Sequence, residues 1–245
     1  MSRCIAIMQP YLFPYVGYFQ LMGCVDQFVI YDRIKYTKKG WINRNRMYSS
    51  DGGRYFGLPL KSASDSLDIV DRFISEDFEP ASVINRFDAV YRRAPYYAET
   101  MELLKCVLLS KERNLFEFLR EALLRTVNHL SLPCSLAISS EIEKASGTLK
   151  GQDRVLGMCE ALGATHYINP IGGIELYREN IFENHGIKLK FLRSNLSSYP
   201  QFGSLFLPAL SILDVLFFIG RENALKMVLE DYTLLNPVDV SIELS

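Results

Sequence analysis

Residues 4–31 read CIAIMQPYLFPYVGYFQLMGCVDQFVIY, and this stretch indicates how the fold begins. The apolar run 4–8 is typical of a buried strand, which ends at Gln9 and Pro10. Residues 15–24 fit a short helix, and residues 28–31 form a second apolar run. Strand, helix and strand in so short a segment predict a βαβ unit, with two parallel strands joined by a right-handed crossover.

The following hundred residues predict a hairpin and then a set of helices. Residues 46–48 and 55–60 are extended runs around SSDGG at 49–53, whose turn chemistry predicts a β-hairpin. The polar segment 61–79 is interpreted as a surface connection. Residues 81–93, 96–110 and 114–129 carry apolar residues at helical spacing. We interpret residues 80–130 as a helical insertion within one α/β domain spanning residues 1–245.

Strands and helices alternate again in the second half of the chain. Residues 135–139, 166–169 and 187–192 predict strands, the last of them as the final strand, and residues 152–162 and 174–184 predict helices ending at Gly163 and Gly186. Residues 210–219 and 222–232 predict closing helices around Gly220. This pattern predicts an α/β fold with a mostly parallel sheet and helices on both faces, Rossmann-like or nucleotidylyltransferase-like.

Composition and charge exclude several classes of function. The formal net charge is −1, so no basic field favours nucleic acid as a partner. The five cysteines lack CxxC pairs, which argues against a zinc site or a disulfide framework. The most apolar window, 205–219, is shorter than the roughly 20 residues of a membrane span. The N-terminus has no signal-peptide pattern, so we expect a cytoplasmic protein without a membrane span or a metal centre.

The loop after the first predicted strand is the first candidate binding site. Ligands of open parallel sheets bind beyond the carboxyl ends of the strands, where this loop falls. Gln9 offers an amide, Tyr11 and Tyr18 offer rings with hydroxyl groups, and Gly17 permits a close approach. Two prolines stiffen the loop and lower the entropic cost of binding. The phenylalanines of this segment are interpreted as packing between helix and sheet.

A cluster of cations around the only tryptophan is the second candidate. The segment KKGWINRNR at 38–46 combines lysines and arginines with a permissive glycine, a composition that suits a phosphate or diphosphate group. Trp41 suits stacking on a base or a sugar ring. The substrate-binding residues predicted here are Lys38, Lys39, Trp41, Asn43, Arg44 and Arg46. Arg33 and Lys35, just upstream, are interpreted as part of a solvated face.

The third candidate lies in the second half of the chain. Gln152 begins the helix predicted at 152–162, and Lys150 lies just before it. The segment THYINPIGG at 165–173 places Asn169 and Gly173 at a strand end. Tyr177 follows in the next predicted helix, whose N-terminus would attract an anion. The segment is not a GxGxxG fingerprint, so no dinucleotide is indicated.

Asp32 and His166 are the candidate catalytic bases. His166 begins an apolar strand, where a hydrogen-bonded core histidine is at least as common as a general base. Ser211 is interpreted as a helix cap. The strand-loop-helix at the start of the chain is similar to that of nucleotidylyltransferases, which carry a His-x-Gly-His motif. Residues 14–18 keep the glycine but lack both histidines, which disfavours nucleotidyl transfer by that route.

Six segments together resemble the WbqC-like family across nearly the whole chain. They are MQPYLFPYVGYFQL at 8–21, residues 26–32, KKGWINRNR at 38–46, KGQDR at 150–154, HYINPIGG at 166–173 and LSILD at 210–214. The motif positions are Gln9, Tyr11, Pro14, Gly17, Tyr18, Asp26, Asp32, Lys39, Trp41, Asn43, Arg44, Lys150, Gln152, Asn169, Gly173 and Tyr177.

The resemblance implies a function in bacterial surface-polysaccharide synthesis, including O-antigen and lipopolysaccharide. It implies a cytoplasmic transferase that places an N-acyl or aminoacyl group on a nucleotide-linked amino sugar. The activated donor would be an acyl-CoA or an acyl carrier protein. Two alternatives stay open: a noncatalytic binding or scaffold protein of the same pathway, and a nucleotidylyltransferase-like enzyme that lacks the usual histidines.

Overall fold

The structure, a computed structural model, describes residues 2–142, 149–203 and 205–243. The strands are β1 (Cys4–Met8), β2 (Gln27–Ile30), β3 (Arg44–Met47), β4 (Arg54–Gly57), β5 (Ser135–Ile138), β6 (His166–Pro170), β7 (Lys188–Ser194) and β8 (Tyr232–Leu235). The α-helices are α1 (Val16–Gly23), α2 (Pro80–Tyr91), α3 (Tyr97–Leu108), α4 (Leu115–Leu130), α5 (Ser139–Ile142), α6 (Gly151–Ala161), α7 (Glu179–Asn184), α8 (Ile212–Glu230) and α9 (Pro237–Glu243). Within these described ranges no helix is both long and apolar enough to cross a membrane.

Six strands form one sheet in the order β5-β2-β1-β6-β7-β8, and β8 alone among them runs antiparallel to its neighbour. The predicted βαβ unit is confirmed, because β1 and β2 pair in parallel with Ile5 opposite Gln27. Numbered along the chain, the order is 3-2-1-4-5-6, that of doubly wound nucleotide-binding folds. The chain winds outward in opposite directions from β1 and β6. The crevice beyond the carboxyl ends of these two strands is where such sheets bind ligands.

Helices cover both faces of the sheet, as predicted. Side chains alternate between the faces of a strand, so β1 contributes Ala6 to one hydrophobic cluster and Ile5 and Ile7 to another. The first cluster also contains buried residues of α1, α2, α3, α4 and α8. The second contains buried residues of α6 and α7. The two layers hold the central strands rigidly, which fixes the positions of the loops at their ends.

The hairpin and the three central helices are confirmed with small shifts at their ends. β3 and β4 pair in antiparallel fashion, with Arg46 opposite Tyr55. α4 begins after Asn114, whose side-chain oxygen accepts a hydrogen bond of 3.1 Å from the backbone N–H of Glu117. The treatment of residues 80–130 as an insertion stays a prediction.

Three expectations about the elements were wrong. The segment 61–79 is not merely a surface connection, because Ile69, Ile74 and Phe78 are buried in the core. The helix expected at 174–184 is interrupted after a 3-10 helix, Ile171–Leu176, and resumes as α7. The strand expected to be last is followed by β8, which adds to the edge of the sheet in antiparallel orientation.

The two closing helices are continuous except for a kink at Gly220. This residue has φ 71°, and a Cβ there would lie 2.5 Å from the Tyr96 ring. Glycine alone accommodates both the left-handed backbone and the close ring. The kink separates the first half of α8, whose residues 212–218 are buried, from the second half, where the Met227 carbonyl accepts a hydrogen bond from the Gln20 amide of α1.

A buried carboxylate ties α8 to the rest of the molecule. Asp214 is fully buried and accepts hydrogen bonds from the Tyr91 hydroxyl (2.6 Å), the Tyr199 hydroxyl (2.7 Å) and the Gln201 amide (2.7 Å). Burial raises the pKa of Asp214, although the three hydrogen bonds oppose the shift. Satisfied in this way, the carboxyl group fixes α2 and the loop before α8 in one arrangement.

We expect Asp214→Asn to lower the free energy of unfolding by about 1–3 kcal/mol at neutral pH. The reason is that the new NH2 group would face the donors of Tyr91, Tyr199 and Gln201 in place of an accepting oxygen. The raised pKa means that the folded protein holds this proton more tightly than the unfolded chain. The carboxyl group therefore contributes most stability below its unfolded pKa of about 3.9, and the contribution is lost as pH rises through the folded pKa. Denaturant unfolding at a series of pH values should show the two proteins converging in stability as pH rises. The exposed Asp153→Asn is the control, and a pH-independent difference for Asp214→Asn would contradict the burial argument.

Candidate functional site

The loop after β1 is organised by tyrosines that face its backbone and side chains. The Tyr18 hydroxyl, on α1, donates to the carbonyl of Gln9 at 3.0 Å. The side-chain amide of Gln9 donates in turn to the Tyr11 hydroxyl at 2.6 Å. Tyr18 is buried, so its part is to position Gln9, whereas Gln9 and Tyr11 are half-buried and accessible at the sheet edge.

The same loop is held by the hairpin on one side and α8 on the other. Phe13 has φ 42°, a backbone region that costs a bulky residue about 1–3 kcal/mol. Its carbonyl accepts hydrogen bonds from the Asn45 amide (2.7 Å) and the Ser211 hydroxyl (2.8 Å). Ser211 also caps α8 as predicted, since its hydroxyl accepts from the N–H of Leu213. These contacts bring the first and last predicted motifs together.

A cavity of about 380 Å³ lies at the crevice between β1 and β6. We call it the switch-point cavity. The polar residues and glycines that line it are Gln9, Tyr31, Asn169, Gly172, Gly173 and Tyr177. Gln9, Asn169, Gly173 and Tyr177 were predicted as substrate-binding residues, and the fold gathers them from distant parts of the chain. Its volume lies within the roughly 300–1,000 Å³ of small-molecule sites.

A hydrogen-bond chain gives this cavity a defined donor. The Asn169 amide donates to the Tyr167 hydroxyl at 2.8 Å, and Tyr167 donates to the Tyr177 hydroxyl at 3.1 Å. Since Tyr177 accepts in this chain, its own hydrogen is available to a ligand. Burial raises the pKa of Tyr167 and of Tyr177, so both hydroxyls are protonated at neutral pH.

Gly173 is needed where it stands because of Asn169. A Cβ at this position would lie 2.2 Å from the Asn169 side-chain oxygen, which is too close for two atoms that are not bonded to each other. The neighbouring Gly172 has open space at the same point. The two glycines, adjacent in sequence, therefore differ in what a methyl group would disturb.

A second, smaller cavity of about 170 Å³ lies between the β1 loop and the hairpin. We call it the Trp41 cavity. It is lined by Tyr11, Pro14, Tyr15, Trp41, Asn45, Arg46 and Ala209. Since Gln9 lines the first cavity and Tyr11 the second, the hydrogen bond between these two side chains marks the boundary of the cavities.

Aromatic rings and guanidinium groups alternate along this side of the hairpin. The Trp41 ring stacks on Tyr55 with centroids 6.0 Å apart. The Arg46 guanidinium lies 5.9 Å from the centre of the Trp41 ring, and that of Arg44 lies 4.7 Å from Tyr55. The side-chain Nε of Arg46 is buried and has no hydrogen-bond partner among the described residues. Its Nη2 reaches the carbonyls of Pro208 and Ala209 only at 3.4 Å.

Three other members of the predicted cation cluster, Lys38, Asn43 and Arg44, are used within the protein. Lys38 forms an exposed ion pair with Asp65 at 2.9 Å. Arg44 donates to the carbonyls of Gly40 and Lys39, so it closes its own loop. The amide of Asn43 donates to the carbonyl of Leu58 at 2.7 Å. Lys39 is exposed with φ 61°.

Asp32 is placed at the carboxyl end of β2 but is engaged by α5. It is buried and accepts from the Ser139 hydroxyl at 2.6 Å and the Ser140 N–H at 3.1 Å. Although burial opposes ionisation, these hydrogen bonds lower the pKa of Asp32. A carboxylate with a lowered pKa is a weak base, and the geometry is that of a carboxylate capping a helix start.

The structure does not bring His166 to either cavity. It begins β6, whereas the cavity lies past the strand end at Pro170, four residues and roughly 13 Å away. Its ring nitrogen Nδ1 contacts the hydroxyls of Ser2 and Thr165. Burial and the nearby Lys188 and Lys190 lower the pKa of His166.

The other predicted residues support the loops rather than line the cavities. A Cβ at Gly17 would lie 2.4 Å from the Tyr15 ring, so the glycine makes room for a side chain of the Trp41 cavity. The Gln152 side chain accepts from the N–H of Arg178 at 2.6 Å, next to Tyr177. Lys150 is exposed just before α6.

One aromatic lining residue was missed in the sequence. Tyr31 follows β2 at the carboxyl edge, and its ring lies 4.6 Å below the Arg154 guanidinium. Its position at a strand end was the signal that could have identified it. Tyr15 of the aromatic β1 loop and Asn45 of the segment 38–46 also line the Trp41 cavity, where the fold brings these two candidate segments together.

Comparison with known proteins yields a family and a relative. A family model described as "WbqC-like protein family" matches residues 9–226. "Uncharacterized protein Rv1507c" of Mycobacterium tuberculosis is 29% identical over 221 residues, which cover 89% of this chain and 94% of that protein. No solved structure matches the chain.

We expect Gly173→Ala to disturb the switch-point cavity without unfolding the protein, because the methyl group must displace the Asn169 side chain at its edge. Gly157→Ala, on α6 and outside the lining of both cavities, is the matched control, since a methyl group there would meet only the end of the Leu149 side chain. Ligand binding measured by calorimetry should be weakened by the first substitution and kept by the second. Equal affinities in the two variants would show that Asn169 does not contribute to the site.

Proposed function

We propose that this chain, which belongs to the WbqC-like protein family, is a transferase that places an acyl or aminoacyl group on a nucleotide-linked amino sugar. The substrate would be a precursor of a bacterial surface polysaccharide, the role implied by the family resemblance. One observation supports the proposal most strongly. In a sheet of doubly wound order, a cavity of small-molecule size lies at the crevice where such sheets bind nucleotides, and Gln9, Asn169 and Tyr177 add polar groups to its otherwise apolar lining.

The chemistry of the cavity lining fits a sugar. Hydroxyl-rich ligands need donors and acceptors at fixed positions, and Gln9, Asn169 and Tyr177 offer amides and a hydroxyl from three separate segments. Tyr31 and Tyr177 add flat ring surfaces to the same wall. Because these neutral side chains are already held by hydrogen bonds, they lose little conformational entropy when a ligand binds. The cavity can therefore recognise a ligand by its shape.

The transfer step forms one bond and breaks another. The amine nitrogen of the sugar attacks the acyl carbon of a thioester donor, an acyl-CoA or an acyl carrier protein. The new amide bond forms as the carbon–sulfur bond breaks, and the proton released by the amine goes to the departing thiolate. This balance requires no protein base. It accords with the described lining of both cavities, in which no carboxylate or imidazole is present.

Asp32 and His166 remain predictions as bases, and the proposal does not depend on them. Asp32 is one residue past Tyr31, but its carboxylate is held by Ser139 and Ser140. Ser139→Ala separates its two possible roles. If Asp32 only supports α5, Ser139→Ala and Asp32→Asn should lower stability together and leave the rate of transfer unchanged.

The noncatalytic alternative is favoured by the same neutral lining. A protein that only binds a sugar nucleotide needs the cavity but no chemistry. A nucleotidylyltransferase-like reaction would instead consume a nucleoside triphosphate and release pyrophosphate.

We expect Tyr177→Phe to weaken binding of the sugar nucleotide by roughly 5- to 15-fold, because one hydrogen bond of about 1–1.5 kcal/mol is lost while the ring stays. Tyr97→Phe is the matched control, since that hydroxyl bonds to Asp88 on the surface of α2 and α3. Calorimetry with nucleotide-linked amino sugars gives the affinities. Mass spectrometry of the same sugars incubated with a thioester donor should detect the amide product.

The outcomes separate the readings. An amide product supports the transferase, and binding without product supports the scaffold. Pyrophosphate released from a nucleoside triphosphate supports the third reading. Failure to bind any sugar nucleotide would overturn the proposal.

A further inference from the structure

We propose that the Trp41 cavity binds the pyrimidine base of the nucleotide and so selects uracil or thymine over purines. The inference rests on the proposed function for its ligand class. It assigns the two neighbouring cavities to two parts of one molecule: the sugar to the switch-point cavity and the base to the Trp41 cavity.

The walls of the Trp41 cavity are flat and already in place. Trp41, Tyr11 and Tyr15 present rings, and Pro14 presents the face of its pyrrolidine. Trp41 is held by its stack on Tyr55, and the β1 loop is held through the carbonyl of Phe13. Stacking between a base and an aromatic side chain needs surfaces of this kind. A preformed cavity also spares the ligand the cost of ordering side chains.

Tyr11 and Arg46 supply donors to the cavity. Tyr11 accepts from the Gln9 amide, so its own hydrogen points elsewhere and can be donated. Arg46 has a buried Nε without a partner, and its Nη2 makes only long contacts of 3.4 Å. A cation so poorly satisfied gains hydrogen bonds when an acceptor arrives and the guanidinium shifts to meet it. Asn45 is not available, because its amide and its oxygen are already bonded within the protein.

The donors of Tyr11 and Arg46 favour a ring with two acceptors at its edge. Uracil and thymine carry two carbonyl oxygens, at O2 and O4, whereas adenine presents an amino donor beside its N7 acceptor. Guanine also carries two acceptors, O6 and N7, so size rather than hydrogen bonding disfavours it. The cavity has less than half the volume of the switch-point cavity, and it lies below the roughly 300 Å³ at which pockets for whole drug-sized ligands begin. A single ring is therefore the fitting occupant.

The boundary between the cavities explains how one molecule could reach both. Gln9 and Tyr11 are two residues apart and hydrogen-bonded at 2.6 Å, with one side chain on each cavity. The diphosphate of a sugar nucleotide would cross this boundary between the two cavities.

Trp41 is the only tryptophan of the chain, so its fluorescence reports on this cavity directly. Tryptophan is excited at a wavelength beyond the tyrosine absorption band. The protein is then titrated with uridine diphosphate and, separately, with adenosine diphosphate. We expect the uridine nucleotide to quench Trp41 at a concentration at least tenfold lower. Trp41→Ala should weaken calorimetric binding of uridine diphosphate by roughly 5- to 150-fold, the usual effect of losing one base stack.

Arg46→Lys tests the donor while retaining the charge. It should weaken binding of uridine diphosphate about tenfold or more and reduce the preference over adenosine diphosphate. Arg54→Lys, an exposed arginine on the same hairpin, is the matched control and should bind like the unaltered protein. Thermal melting of each variant verifies that the hairpin is intact.

The possible failures are distinguishable. In the first, a uridine-linked sugar binds in calorimetry without changing the Trp41 fluorescence, and Trp41→Ala binds it with unchanged affinity. That result overturns the base site but leaves the transferase proposal standing. Equal affinity for uridine and adenosine diphosphates overturns the selectivity. Absence of binding for every sugar nucleotide overturns both proposals.

Discussion

The carbonyl oxygen of Phe13 connects the β1 loop to the hairpin and to α8. It accepts from Asn45 of the hairpin and from Ser211 at the start of α8, and it does so from a backbone conformation that a phenylalanine rarely adopts. Two hydrogen bonds to one buried carbonyl offset strain of about 1–3 kcal/mol. The β1 loop is thereby rigid without forming a helix or a strand. Both cavities depend on it, since Gln9 precedes this point and Pro14 follows it.

Each cavity also contains a tyrosine hydroxyl whose direction is set by an amide. Gln9 donates to Tyr11, and Asn169 donates through Tyr167 to Tyr177. In both chains the last hydroxyl is left with a hydrogen to give. The fold therefore presents donors at the two ends of one crevice, and a ligand with acceptors along its length satisfies both. The geometry of this arrangement comes from β1 and β6 being neighbours in the sheet.

Local patterns were sufficient for elements whose contacts are close in sequence, and insufficient elsewhere. The βαβ unit, the hairpin and the three central helices follow from apolar periodicity and turn residues, and the structure confirms them. β8 was missed because its pairing with β7 is an edge contact that its own composition does not reveal. His166 was grouped with Asn169 because they share one short strand. A strand has two ends, however, and only its carboxyl end reaches the cavity.

The cation cluster shows why residue type alone does not define a binding site. Six charged or amide side chains in nine residues suggested a diphosphate clamp, yet Lys38 is paired with Asp65 and Arg44 is bonded to its own loop. Only Arg46 lines a cavity with its hydrogen-bonding capacity unfilled. A guanidinium that is already satisfied offers a ligand little, because any new bond replaces an old one. The number of unfilled donors, rather than the number of positive charges, therefore decides what this surface can recognise: a flat ring with acceptors at its edge.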